Sequence, residues 1–193
     1  MHMNLFFKLC PDLLESGFPG AVLSRFFFNA VAAMVFAAFF GSGVVVAQSV
    51  QVLGEFRDWS AYSANDGGGP ICFAMTRSKE TKPEPEGYTG GFIYITHRPS
   101  QNLRNEFNMI AGYEFAVESV AIATVGSNVY ELFTSADGAW LMDPKQGEVF
   151  ARDLRAGVNL VIEGESAGGE DIIQTFSLSG ATASSRAINS ACL

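Results

Sequence analysis

The chain has 193 residues, a length that fits one domain. Its formal charge is −8, from 12 basic and 20 acidic residues. Such an acidic balance repels phosphate backbones and anionic lipid, which argues against nucleic-acid binding and against docking on a membrane by charge alone.

The first 47 residues differ from the rest. They hold nine of the 17 Phe residues and only four charges, Lys8, Asp12, Glu15 and Arg25. No charge lies between Phe26 and Ala47. Arg25, the apolar run to Phe40, Gly41-Ser42-Gly43 and then Val45-Val46-Ala47 read as a secretory signal with small residues before a cleavage point. Residues 1–47 are therefore expected to be an N-terminal extension and signal peptide, cleaved near Ala47. Residues 48–193 are expected to form a single domain in the periplasm or outside the cell. The alternative is an uncleaved anchor, since about 20 apolar residues span a bilayer. Residues 1–24, with Pro11, Asp12, Glu15 and Pro19, make a poor signal start. Translation is expected to begin near Val22 or Leu23.

Cys10 falls in the removed segment, leaving Cys72 and Cys192. In an oxidising compartment a disulfide between them is the expectation. The alternatives are two free thiols or half of a metal site. One mature histidine, His97, beside two cysteines does not easily make four zinc ligands, so no metal and no cofactor is expected.

In chain order, residues 55–62 read as one strand with an irregularity near Asp58. Asn65-Asp66-Gly67-Gly68-Gly69-Pro70 is a turn, and Ile71 to Thr76 the return strand. Residues 79–89, with Pro83 and Pro85 among charges, read as an exposed loop. Gly90 to Thr96 is a strong strand. Asn105 to Ile110 is weaker, with Phe107 and Met109 on one face and Glu106 and Asn108 on the other. Tyr113 to Glu118 continues the alternation. Val120 to Val125 and Val129 to Thr134 are strands, and Asp137-Gly138 is a tight hairpin signal leading to Trp140-Leu141-Met142.

Asp143 and Pro144 open a helix, with Val149, Phe150 and Leu154 on its apolar face and Lys145, Arg152 and Asp153 facing water. Gly157 suits a left-handed residue after its end. Asn159 to Glu163 and Ile172 to Leu178 form the last strand pair. Ser179 or Gly180 opens the final helix, where Ala181, Ser185, Ile188 and Cys192 recur at helical spacing. Many short strands and two short helices, one of them C-terminal, indicate a mainly β fold, either an antiparallel β-sandwich or a small barrel.

The mature part opens with Phe56-Arg57-Asp58-Trp59-Ser60-Ala61-Tyr62 and continues to Cys72-Phe73-Ala74-Met75. It closes on Phe176-Ser177-Leu178-Ser179-Gly180-Ala181-Thr182-Ala183 and Ile188-Asn189-Ser190-Ala191-Cys192. Over roughly residues 54–193 this resembles the invasion-associated locus B family of small exported bacterial proteins. The resemblance implies an envelope or exported location and carries over no catalytic residues.

The residues themselves offer little catalysis. A Ser-His-Asp arrangement would have to use His97, and nothing nearby resembles a nucleophile elbow. A histidine at a strand end is ordinarily a surface residue. Asp58, Asp66, Asp137 and Asp143 sit where Asp serves local turn geometry, and their spacing matches no calcium loop. Trp59 and Trp140 are read as core anchors. Arg98 and Arg104 flank the Pro99 turn as a small basic patch. The expectation is a non-catalytic envelope or surface module that binds a protein or glycan through loops 64–70, 79–89 and 97–105, with Asp66, Arg98 and Arg104 as candidate contacts. The alternative is a periplasmic hydrolase using His97 or carboxylates.

Overall fold

The computed structural model describes residues 49–65 and 67–193. The expected signal segment with its expected cleavage point and translation start, Cys10 and Asp66 lie outside the described residues. Ten strands and two helices follow one another. The strands are β1 (Gln51–Phe56), β2 (Trp59–Asn65), β3 (Pro70–Lys82), β4 (Phe92–Arg98), β5 (Leu103–Ile110), β6 (Val120–Val125), β7 (Asn128–Ser135) and β8 (Gly138–Leu141), then, after α1 (Gly147–Ala156), β9 (Asn159–Glu165) and β10 (Asp171–Ser177). Helix α2 (Ala181–Cys192) ends the chain.

The sheet runs β3-β10-β9-β6-β7-β8-β5-β4 and closes where β4 pairs back onto β3. It is an antiparallel eight-stranded barrel rather than a sandwich. Closure depends on the length of β3. Its first part, to Thr76, pairs with β2 on one edge and with β4 on the other, while Ser78 to Lys82 pair with β10. Strand β1 continues the sheet beyond β2 and lies outside the closed ring.

Alternation decides what fills the barrel. Ile93, Phe107, Met109, Leu132, Leu160, Ile162, Ile172 and Phe176 point inward and are almost wholly buried. Ala74, Ala121, Ala123 and Ala139 share that face and leave room for the larger rings. From α1, Phe150 enters edge-on between Phe107 and Tyr130, with both ring centroids 4.7 Å away. Trp59 is buried as expected, and its Nε1 donates to the Ser177 carbonyl at 2.9 Å.

Helix α2 buries Ala181, Ser184, Ser185, Ile188 and Cys192, the stripe that the spacing indicates. Cys192 is bonded to Cys72 of β3, with Cα atoms 5.9 Å apart. The start of α2 is pinned as well. The Asp58 N–H donates to the Ser179 carbonyl at 3.2 Å, in the turn between β1 and β2.

Several expectations are corrected. The stretch 55–62 is not one strand: Arg57, with φ +58°, turns the chain at Arg57-Asp58 and makes a hairpin of β1 and β2. Residues 79–82 belong to β3 because β10 supplies their ladder partners, so the loop shrinks to 83–91. Tyr113 to Glu118 forms no strand beyond a bridge of Phe115 to Ser166. The helix after Asp143 begins as a 3-10 turn, Pro144–Gln146, capped by the Asp143 side chain, and Gly157 is extended rather than left-handed. Val149 is exposed, whereas Asp153 is buried. Asp153 Oδ2 accepts from the Tyr130 hydroxyl at 2.5 Å and from Asn128 Nδ2 at 2.7 Å. The Tyr130 bond leads in lowering the Asp153 pKa. Burial, then Asp153, pushes the Tyr130 hydroxyl up to about 12.

Candidate functional site

The one histidine among the described residues occupies the interior. His97 is fully buried opposite Cys72, not on the surface. The Asn105 backbone N–H donates to its Nδ1 at 3.1 Å, which makes Nδ1 the acceptor. Its Nε2 therefore carries the proton and donates to Asn189 Oδ1 at 2.7 Å. Burial lowers its pKa and favours the neutral ring. Both nitrogens are thus engaged, one by β5 and one by α2. This histidine ties the helix to the barrel, and no nucleophile hydrogen-bonds to it among the described residues.

Asp58 is held below the usual carboxylate range first by its bond to Lys79 Nζ at 2.6 Å. Among the described residues no group of three or more His, Cys, Asp or Glu is placed to hold a metal ion. A polar recess at one end of the barrel is edged by Glu86, Glu114, Asp137 and Glu170.

The outer wall carries the more distinctive arrangement. Trp140 is not a core anchor. On β8 its neighbour Leu141 takes the inward position, so the indole faces outward and is half-buried. It pairs across the 136–137 turn with Phe133 of β7, and the rings stack at 5.3 Å and 18°. Phe133 is 42% exposed. The outward cross-strand row runs Met75, Tyr94, Asn108, Trp140, Phe133 and Val120.

Beside the stack is a recess of about 190 Å³, lined by Leu103, Arg104, Glu106, Phe133, Trp140 and Pro144 among others. Two features shape it. Gly147, at the start of α1, approaches β5 closely: a Cβ there would lie 2.9 Å from the Asn105 carbonyl oxygen. That contact brings Pro144 to the edge of the recess. Asn105 itself, with φ +51°, turns the strand at the point where its N–H reaches His97.

Of the two predicted arginines only Arg104 lines this recess. Arg98 is paired with Glu106 Oε2 across the β4–β5 hairpin, and both are about one-third exposed. Arg104 lines the recess, is exposed, and makes no ion pair among the described residues. The recess therefore has an apolar body, one unpaired guanidinium and one oriented carboxylate. Phe133 and Asn108 were not among the sequence-based candidate contacts, and Trp140 was named only as a core anchor. The Asp137-Gly138 hairpin signal finds the turn but misses its register by one residue: the chain turns at Ala136-Asp137, with φ +51° at Ala136 and Ser135 opposite Gly138, and only that pairing sets Phe133 opposite Trp140.

An antiparallel eight-stranded barrel with a disulfide-tethered C-terminal helix packed against β2 and β3, and an aromatic recess on its outer wall, is the class of protein defined by these features. Its fold is similar to the crystal structure of invasion associated protein B from Bartonella henselae, with a TM-score of 0.51 and 13% identity over 73% of this chain and 97% of that chain. At that identity the likeness concerns the fold alone. No family model matches the chain. No curated protein matches it either.

Proposed function

We propose that the chain is an exported, non-catalytic envelope or surface protein that binds a protein or glycan, and that it does so through the Arg104–Trp140–Phe133 wall. The observation that carries this reading is the outward display of a stacked aromatic pair beside an unpaired arginine on rigid strands. Aromatic and Arg side chains are enriched where binding energy concentrates, and strands hold them with little ordering cost. The uncharged run before Ala47 and the Cys72–Cys192 bond support export into an oxidising compartment. The hydrolase alternative gains no support from His97, whose two nitrogens are already engaged inside the barrel.

Capture from an envelope extract of the producing cells tests the reading. The immobilised wild-type protein should retain a partner that Trp140→Ala loses by about tenfold, the scale of one hot-spot side chain. Val158→Ala, at a position exposed elsewhere, should leave capture unchanged. Equal capture by all three proteins would remove the wall from the account.

A further inference from the structure

We propose that the recess takes the carboxylated pyranose end of a glycan, with the sugar ring against the Trp140–Phe133 stack and its carboxylate on Arg104; this rests on the reading of the wall as a binding face. A pyranose has an apolar C–H face and a rim of hydroxyls. The recess offers the complement. Its body is aromatic and aliphatic, from Phe133, Trp140, Leu103 and Pro144, and its volume of about 190 Å³ suits one ring. Hydrogen-bonding groups flank the aromatics: Asn108 lies directly opposite Trp140 in the ladder, and Glu106 lines the recess with its Oε2 already held by Arg98.

An apolar peptide side chain would fill the same volume but bring no donors for Glu106. Displacing water from a carboxylate without replacing its hydrogen bonds is costly. Sugar hydroxyls supply those donors.

The charge on the ligand follows from Arg104. Of the two charged residues that line the recess, Glu106 is already held by Arg98, and Arg104 makes no ion pair among the described residues, so a cation stands open at the recess in a chain of net charge −8. Interactions between exposed charges fade beyond about 8 Å at physiological salt, so a small anion at the recess meets the Arg104 guanidinium rather than the charge of the whole chain. The acidic remainder disfavours a long polyanion. A single carboxylate at a glycan end matches both facts, and a guanidinium fork binds a carboxylate with two parallel N–H donors.

The test uses two disaccharides that differ only at the terminal ring, one ending in glucuronate and one in glucose, with binding followed by ligand-observed NMR. The wild-type protein should bind the glucuronate form about tenfold more tightly, the ratio expected for one charge-assisted contact. Arg104→Gln should abolish that preference and leave the glucose form unchanged. Trp140→Phe keeps an aromatic ring and should weaken both sugars alike. Arg186→Gln on the exposed face of α2 serves as the charge control and should change neither. Equal binding of the two sugars, or a preference that survives Arg104→Gln, would overturn the carboxylate assignment. Binding of neither sugar would overturn the glycan assignment. If capture from the envelope extract still depended on Trp140 in that case, the wall would remain a binding face for another partner.

Discussion

Replacing Cys192 with Ser should lower the melting temperature by roughly 10 °C or more and loosen residues 180–193 first. The bond joins positions 120 apart, and a loop of that order loses about 5 kcal/mol of unfolded-state freedom when it is closed. Typical domains hold only about 5–15 kcal/mol in total, and about 1 kcal/mol moves the melting point of a domain of this size by roughly 2–4 °C. The bond also sits where α2 has little else to hold it. The outward side of α2 is polar, its buried stripe consists of small residues apart from Ile188 and Cys192, and Asn189 reaches the barrel through a single side-chain bond to His97. Cys72→Ser should cost as much as Cys192→Ser, and the double replacement no more than either, because one bond is lost in every case. Differential scanning calorimetry with hydrogen exchange would show both the size and the location of the loss. Unchanged melting after reduction would refute it.

The second large effect is expected at the other end of the same helix. Gly180 has φ +106°, and a Cβ there would lie 1.7 Å from the Phe56 carbonyl oxygen and 2.9 Å from its carbon. The obstacle is backbone, so no side chain can rotate away. Either β1 or the start of α2 must move, and movement strains the Asp58 N–H bond to the Ser179 carbonyl. Gly180→Ala should therefore cost about 3 kcal/mol or more, combining left-handed strain with a displaced strand. Gly126 provides the comparison. Its φ is +60° and nothing lies within 4 Å of the same added atom, so Gly126→Ala should carry only the backbone cost of about 1 kcal/mol. Urea midpoints of the two variants would separate the contributions. Equal midpoints would mean that β1 yields freely.

Much of this architecture was legible in the chain. The alternation of Phe107 and Met109 against Glu106 and Asn108 placed the faces of β5 correctly. The spacing of Ala181, Ser185, Ile188 and Cys192 identified the buried stripe of α2 and the inward direction of its terminal cysteine. What escaped depended on partners distant in sequence. Residues 79–82 are polar and precede Pro83, so they read locally as loop; only β10, some 90 positions later, completes their hydrogen bonds. His97 reads as a surface residue until the Asn105 N–H and Asn189 close around it. Asp153 reads as solvated because its partners Asn128 and Tyr130 lie on another element.

The binding wall was missed for a different reason. Trp140 was assigned to the core because tryptophan contributes so much apolar area, an argument from composition. Parity carried the better information. On a four-residue strand with Leu141 inward, Trp140 must face out, and the hairpin at 136–137 then sets Phe133 beside it. Arg104 was identified as part of a basic patch, but that its guanidinium stays unpaired while Arg98 is taken by Glu106 follows only from the pairing of β4 with β5.

The central claim is that the wall between β5 and β7 is the face that meets a partner. Site-directed photo-crosslinking in intact cells tests it most directly. A photoreactive residue at position 133, on the aromatic stack, should yield a discrete crosslinked species, and the same residue at position 173, exposed on β10, should yield none. Crosslinking from position 173 with none from position 133 would contradict the account.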